Sequence, residues 1–299
     1  MRKKIDLKAV LATATKPEVD EALTFNELAR AWLATTNNGD DLYRLRKWQD
    51  VFGDRCAWGV TSDEIAAAAE GMRDHGYAVG SVNRDVGAIG SMYRWIIQQR
   101  RAPAGFTSPT LMVPRAEEPK RVVEVEDATI AKLRALSMTY VNKRFPLFVH
   151  LLIDTGARKS ELLERTWADF DLDRRRIRLR AEDTKTKKAR VLFFSEATAA
   201  LIRRLVPKRD PVALVFPGRC PTEPINFRSS WRELTKQAGC PDLHMHDLRH
   251  HRARELLLAG VPIAQAAQIM GHSVQVLEAR YGHLSVDDKQ EAAELAWAA

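Results

Sequence analysis

Apolar residues along this chain recur mostly at helical spacing, and only one stretch alternates. From Thr24 the text TFNELARAWLA puts Phe25, Leu28 and Trp32 on one face, and Thr24 with Glu27 three residues on reads as a capping box. A second helix is expected over 42–52, stopped at Gly53; Thr61-Ser62-Asp63-Glu64 opens a third. Ser81-Val82-Asn83-Arg84 opens a fourth that continues through Tyr93, Trp95 and Ile97. Pro103, Pro109, Pro114 and Pro119 then break the period, which reads as an extended connector. Beyond it, helices are expected at about 127–137 and 145–155, the latter ending at Gly156, with another opening over 157–162. In the alternating stretch Ile177 and Leu179 interleave with arginines, and Val191 and Phe193 alternate after a lysine-rich turn at 182–188. Ser195 caps a helix ending near Val206, Val215-Phe216-Pro217-Gly218 is a short buried run, and 227–238 is a further helix.

These elements predict a mostly α chain with one small antiparallel β-sheet. Five segments follow: a basic lead-in over 1–20, a helical domain over 21–104, a linker over 105–120, an α+β domain over 121–285 and a tail helix over 286–299. Asp287 and Asp288 favour the start of that tail helix, and Ala292, Leu295 and Ala296 give it an apolar stripe that must pack on something.

Composition narrows the class. At 299 residues with 45% hydrophobic and 29% charged content, the chain has ample length for a globular core. The excess of 47 basic over 39 acidic residues, a net +8, favours a polyanionic partner, although solvated basic faces produce the same balance. Cys56, Cys220 and Cys240 are scattered and odd in number, which argues for a reducing compartment. The longest apolar run, around 147–153, is short of the roughly 20 residues a membrane span needs. No apolar segment follows Met1-Arg2-Lys3-Lys4, so a cytoplasmic, membrane-free protein is expected.

The chemistry concentrates in 244–284. His246 and Arg249 share one helical turn; Gly260 with Pro262 marks a helix stop and restart; Gly271 ends the second helix, and Ser273 caps a third carrying Tyr281. Two imidazoles, a guanidinium and a phenol brought together suit a phosphodiester attacked by the phenol. Taken singly, each residue has a plainer reading. Tyr281 shares a core stripe with Val274 and Leu277, and Arg158 can simply pair with Glu161, its i+3 neighbour. A charged hairpin tip with Lys185, Lys187 and Lys188 can be only a solvated turn, and Arg44, Lys47, Arg84 and Arg94 a solvated helix face. His246 and His250 at i, i+4 suggest zinc, but no HExxH pattern or cysteine pair accompanies them, so no metal is expected.

In combination the chain resembles the tyrosine recombinases of the phage-integrase family. Thr155-Gly156-Ala157-Arg158-Lys159-Ser160-Glu161-Leu162 resembles the family's first arginine box, and His246-Asp247-Leu248-Arg249-His250 its second. Met270-Gly271-His272-Ser273 resembles its third, with Tyr281 at the family's distance. Val82 to Ile97 is similar to the last helix of the family's core-binding domain. The resemblance implies a SAM-like helical core-binding domain followed by an α+β catalytic domain, the two clamping duplex DNA. It implies Tyr281 as nucleophile, Arg158, Arg249 and His272 as donors to the phosphate, and His246 assisting proton removal. Lys185 is implied as the general acid, with Lys187 and Lys188 close enough to compete, and Glu161 as an orienting group. Arg44, Lys47, Arg84, Arg94, Lys187 and Lys188 are the expected DNA contacts. No cofactor is implied. The expected partners are double-stranded DNA attachment sites, a homo-tetramer assembled on DNA from free monomers or dimers, and accessory DNA-bending proteins. The implied role is integration or excision of a mobile element. A type IB topoisomerase and a DNA-binding factor without catalysis are the alternatives. Both His250 and His251 follow Arg249, where the family often has one histidine, and the short lead-in leaves little room for a separate arm-binding domain.

Overall fold

A computed structural model describes residues 19, 21–36, 38–118, 125–182, 184 and 188–281. Lys185, Lys187, most of the lead-in and the tail over 286–299 therefore lie outside the described residues. The chain divides into two compact units, Met1–Arg121 and Val122–Ala299.

The first unit holds α1 (Phe25–Leu33), α2 (Gly39–Phe52), α3 (Ser62–Asp74) and α4 (Val79–Gln98). Thr24 and Thr61 each close a capping box, with Glu27 and Glu64 respectively. Two starts differ from the sequence reading. Helix α2 begins at Gly39 because Asn38 caps it by accepting from the Asp40 N–H. Helix α4 begins at Val79 with no side-chain cap, so Ser81 lies inside it. Phe25, Trp48, Ile65, Val82, Ile89 and Tyr93 form the centre of one core. The proline-rich stretch is not a free connector. Phe106 stacks edge-on to Trp58 with centroids 4.9 Å apart, Val113 is buried, and Asn83 Nδ2 donates to the Ala116 carbonyl at 2.9 Å. Prolines prevented a helix there, but interleaved apolar residues strap the segment to α4.

The second unit holds α5 (Asp127–Ser137), α6 (Arg144–Thr155), α7 (Lys159–Leu163), β1 (Phe170–Asp171), β2 (Arg176–Leu179), β3 (Arg190–Phe193), α8 (Glu196–Leu205), α9 (Arg228–Ala238), α10 (Met245–Leu258), α11 (Ile263–Met270) and α12 (Val274–Tyr281). Helix α6 is the hub: from Phe145 to Thr155 every residue but His150 is buried, among α5, α7, α8, α10 and β3. Gly156 ends it at φ +58°, a left-handed turn that releases the chain towards Arg158. A separate small core of Ala253, Leu256, Ala266, Ala267, Met270 and Leu277 packs α10, α11 and α12 together, with Tyr281 at its edge. No helix among the described residues is long and apolar enough to cross a membrane.

The sheet is antiparallel in the order β1-β2-β3, with Ile177 opposite Leu192 and Leu179 opposite Arg190. Opposed residues share a face, so Arg190, Leu192 and Phe194 point inward with Ile177 and Leu179. Of the alternating apolar positions the sequence offered, Val191 and Phe193 lie on the outer face: Phe193 is 52% exposed and Leu192 1%. Val191-Leu192-Phe193-Phe194 is apolar throughout, so alternation alone does not choose a face. Leu192→Ala is expected to cost about 2–5 kcal/mol in denaturant unfolding, and Phe193→Ala only about 0.5. Equal losses at both positions would reverse the register.

Candidate active site

Four helix ends and one strand converge on a single cluster. Arg158, at the N-terminus of α7, donates from its backbone N–H to Glu161 Oε2 at 2.8 Å and from Nη1 to Glu161 Oε1 at 2.9 Å. Glu161 is 1% exposed and also accepts from Arg190 Nη2 at 2.6 Å. One buried carboxylate thus holds two guanidinium groups.

Arg249 on α10 is 1% exposed. Its Nη1 donates to the Gly156 carbonyl at 2.9 Å, its Nη2 to the Met270 carbonyl and its Nε to His272 Nε2 at 3.0 Å. The left-handed turns at Gly156 and Gly271 bring the helix ends that supply these acceptors within reach. At Gly271 a side chain would also collide with the Arg190 guanidinium. No carboxylate pairs with Arg249 among the described residues. Burial first, then the like charges of Arg158 and Arg190, pull its pKa down to about 9, still a cation at neutral pH.

His272 accepts from Arg249 through Nε2, so its proton sits on Nδ1, a buried atom with no hydrogen-bond partner among the described residues. Burial, then Arg249 and Arg158, push the imidazole down to about 3. It is a neutral N–H donor facing a cationic cluster.

Tyr281 closes the site from α12. Its hydroxyl lies 2.9 Å from His250 Nδ1 and donates to the His250 carbonyl at 3.2 Å. His246 is exposed, and its ring meets that of His250 edge-on with centroids 5.0 Å apart. Among the described residues it makes no hydrogen bond to Arg249 or Tyr281; the imidazole touching the phenol is that of His250. Asp127, His251 and Glu255 form a second donor group, its atoms within 4.8 Å of one another. There His251 Nε2 lies 3.5 Å from Glu255 Oε1.

The lysine turn is described only at its edges: Lys188 is exposed, and its N–H donates to the Thr184 hydroxyl at 3.0 Å. In the first unit Arg84 and Arg94 are exposed on α4. Arg44 pairs with Asp40 and Asp41, and Lys47 with Asp85 at 2.5 Å while lying 4.8 Å from the Tyr77 ring centroid. Sequence reasoning missed Arg190, His250 as a partner of Tyr281, and Arg280, whose Nη1 lies against the His250 ring. Correct strand parity would have revealed Arg190 as an inward-facing charge.

Residues 125–287 match the family model described as "Phage integrase family". The chain belongs to this family of tyrosine recombinases. Among curated relatives, the tyrosine recombinase XerA of Saccharolobus solfataricus is 29% identical over 202 residues, 67% of this chain and 62% of its own length. This chain thus spans about three fifths of that relative. The Tn1549 transposon integrase, solved in complex with transposon right end DNA, has a TM-score of 0.72 at 18% identity, covering 93% of this chain and 100% of that one. A lambda integrase tetramer bound to a Holliday junction gives 0.63 at 17%, covering 91% and 79%. At such identities these two likenesses establish the fold.

The depressed His272 pKa carries a stability consequence. Its ordinary value is 6.5 and the folded value about 3, so the folded state gains from the neutral ring above pH 6.5. That gain is lost as pH falls from 6.5 towards 3, where the unfolded chain takes up the proton and the folded chain does not. Thermal melts across this window are expected to show a shallower acid decline for His272→Asn than for the wild type; parallel curves would place the ring in solvent.

Proposed function

We propose that this chain is a site-specific DNA recombinase that cleaves and rejoins duplex DNA through a 3′-phosphotyrosyl intermediate. The observation that carries the reading is a buried cationic cluster, Arg158, Arg190 and Arg249 around the one carboxylate of Glu161, with a phenol at its edge. A phosphodiester supplies the anion such a cluster lacks.

In this reading Tyr281 attacks the scissile phosphorus, the P–O5′ bond breaks, and the 5′ oxygen leaves protonated by Lys185. Arg158 and Arg249 stabilise the charge that gathers on the non-bridging oxygens, and the Nδ1–H of His272 adds a neutral donor. His246 assists removal of the phenolic proton. Glu161 fixes Arg158 without touching substrate. The phosphotyrosyl bond conserves the ester energy, so rejoining is the same step reversed. Arg44, Lys47, Arg84, Arg94, Lys187 and Lys188 serve as backbone contacts that set register on the duplex. Integration or excision of a mobile element, on a tetramer assembled at attachment sites, is the biological setting proposed; family membership and the fold shared with the Tn1549 and lambda integrases support it.

On a nicked suicide duplex, Tyr281→Phe is expected to bind DNA with wild-type affinity and form no covalent adduct. Arg158→Ala is expected to slow adduct formation roughly 10²–10³-fold, the loss typical of one removed transition-state donor. Wild-type adduct yield from Tyr281→Phe overturns the assignment. Binding is expected to weaken about 10³–10⁵-fold between 50 and 200 mM salt if roughly 6–10 phosphates are neutralised. A flat salt response in a filter or anisotropy titration contradicts an extended backbone interface.

A further inference from the structure

Helix α10 carries a second group of donors on the side away from Arg249. His251 is two positions on from Arg249, roughly 200° around a helix of 3.6 residues per turn, and Glu255 follows it by one turn on the same face. Asp127, the first residue of α5, completes the group: one ligand atom from each of the three lies within 4.8 Å of the other two. His251 is 4% exposed, yet its Nε2 is a buried atom with no hydrogen-bond partner among the described residues. Buried polar atoms are nearly always satisfied, so this one calls for a partner. It points at the group, with Glu255 Oε1 3.5 Å away.

A protonated His251 paired with Glu255 would draw the two atoms to about 2.7–2.9 Å, the length of a charge-assisted hydrogen bond. The observed 3.5 Å is instead close to the edge of a tetrahedron around a metal ion. Bonds of about 2.0–2.2 Å to nitrogen and oxygen put two ligand atoms roughly 3.4 Å apart. Two carboxylates and a neutral imidazole sum to two negative charges, which a dication balances. Arg252 Nη1 holds the other oxygen of Glu255, Oε2, at 3.3 Å and leaves Oε1 to the group. Asp127 is exposed, so its carboxylate can turn inward without unpacking the core.

We propose that Asp127, His251 and Glu255 bind a divalent transition-metal ion of the zinc type, with water as the fourth ligand. One imidazole with two carboxylates suits zinc better than calcium or magnesium, which take oxygen ligands. Two ligands come from one face of α10 and the third from the start of α5, so the set is complete only when both helices are in place. The ion therefore binds the folded chain and stabilises it, tying the first turn of α5 to the helix that carries Arg249. It is a structural site and takes no part in the attack on phosphorus, so this proposal and the recombinase reading can fail separately.

The test is calorimetric titration of the full chain with zinc chloride, after treatment with chelator and dialysis, read beside thermal melts. One equivalent is expected to bind and to raise the melting temperature of the second unit by roughly 5–10 °C when free zinc is a hundredfold above its Kd. Asp127→Asn and Glu255→Gln are each expected to weaken binding at least about 10²-fold, since even outer-shell partners of a metal are worth about 10–100-fold. Both are expected to lose the melting shift. Cobalt(II) in place of zinc is expected to give visible d–d bands without the thiolate charge-transfer band that Cys56, Cys220 or Cys240 would add, and Asp127→Asn is expected to lose those bands. A double variant, His246→Ala with His250→Ala, keeps the full zinc response. The proposal is overturned if the wild-type chain binds no zinc, or if Asp127→Asn and Glu255→Gln bind it as the wild type does. Loss of the response with His246 and His250 instead overturns it too. His251→Gln is expected to behave as the carboxylate variants do; if it does not fold, the exposed Asp127→Asn decides.

Discussion

A guanidinium buried without a carboxylate is the constraint around which the second unit is built. Arg249 is 1% exposed, yet its three described partners are two carbonyls and a neutral imidazole. Carbonyls satisfy its N–H groups but leave the charge uncompensated, and a buried cation costs several kcal/mol when it is unpaired. Two more arginines nearby deepen the imbalance, and Glu161 offsets one charge of three. A carboxylate brought closer would neutralise the cluster.

Holding that charge dictates backbone geometry at some distance from it. The Gly156 and Met270 carbonyls reach Arg249 because α6 and α11 both end there in left-handed turns, at Gly156 and Gly271. Gly156 has a second reason to lack a side chain, since a Cβ would lie 2.7 Å from Met270 Cε and 2.9 Å from Arg252 Cβ. Gly271 likewise yields its space to Arg190. The small core of α10, α11 and α12 then sets where Tyr281 stands relative to this ring of donors. The glycines of the motifs are thus structural conditions for the arginines, while the histidine and tyrosine depend on the turns they enforce.

Much of this was legible in the sequence because it is local. Capping boxes at Thr24 and Thr61, helix stops at Gly53, Gly156 and Gly271, and the Ser195 cap depend on neighbours within a few residues. The motif boxes named Arg158, Glu161, Arg249, His272 and Tyr281, and the fold brings all five to one cluster. What escaped was set by tertiary packing. The parity of β3 is ambiguous in an unbroken apolar run, and choosing the wrong face concealed Arg190 by the same error. The 106–116 strap was hidden because prolines signal what a segment cannot form, not what it packs on. Of the histidines at 246, 250 and 251, only the position of α12 decides which faces the phenol.

The surroundings of Tyr281 also fix the state of its proton. Burial raises the phenol's pKa, and the imidazole in contact with it is pushed down to about 4, so both groups are neutral at neutral pH. Desolvation is the first cause of both shifts; Arg280 and Arg249 then lower the imidazole's pKa further and oppose the rise of the phenol's. An anion that offset the arginines would therefore move both groups in the same direction, raising the pKa of the imidazole and of the phenol together.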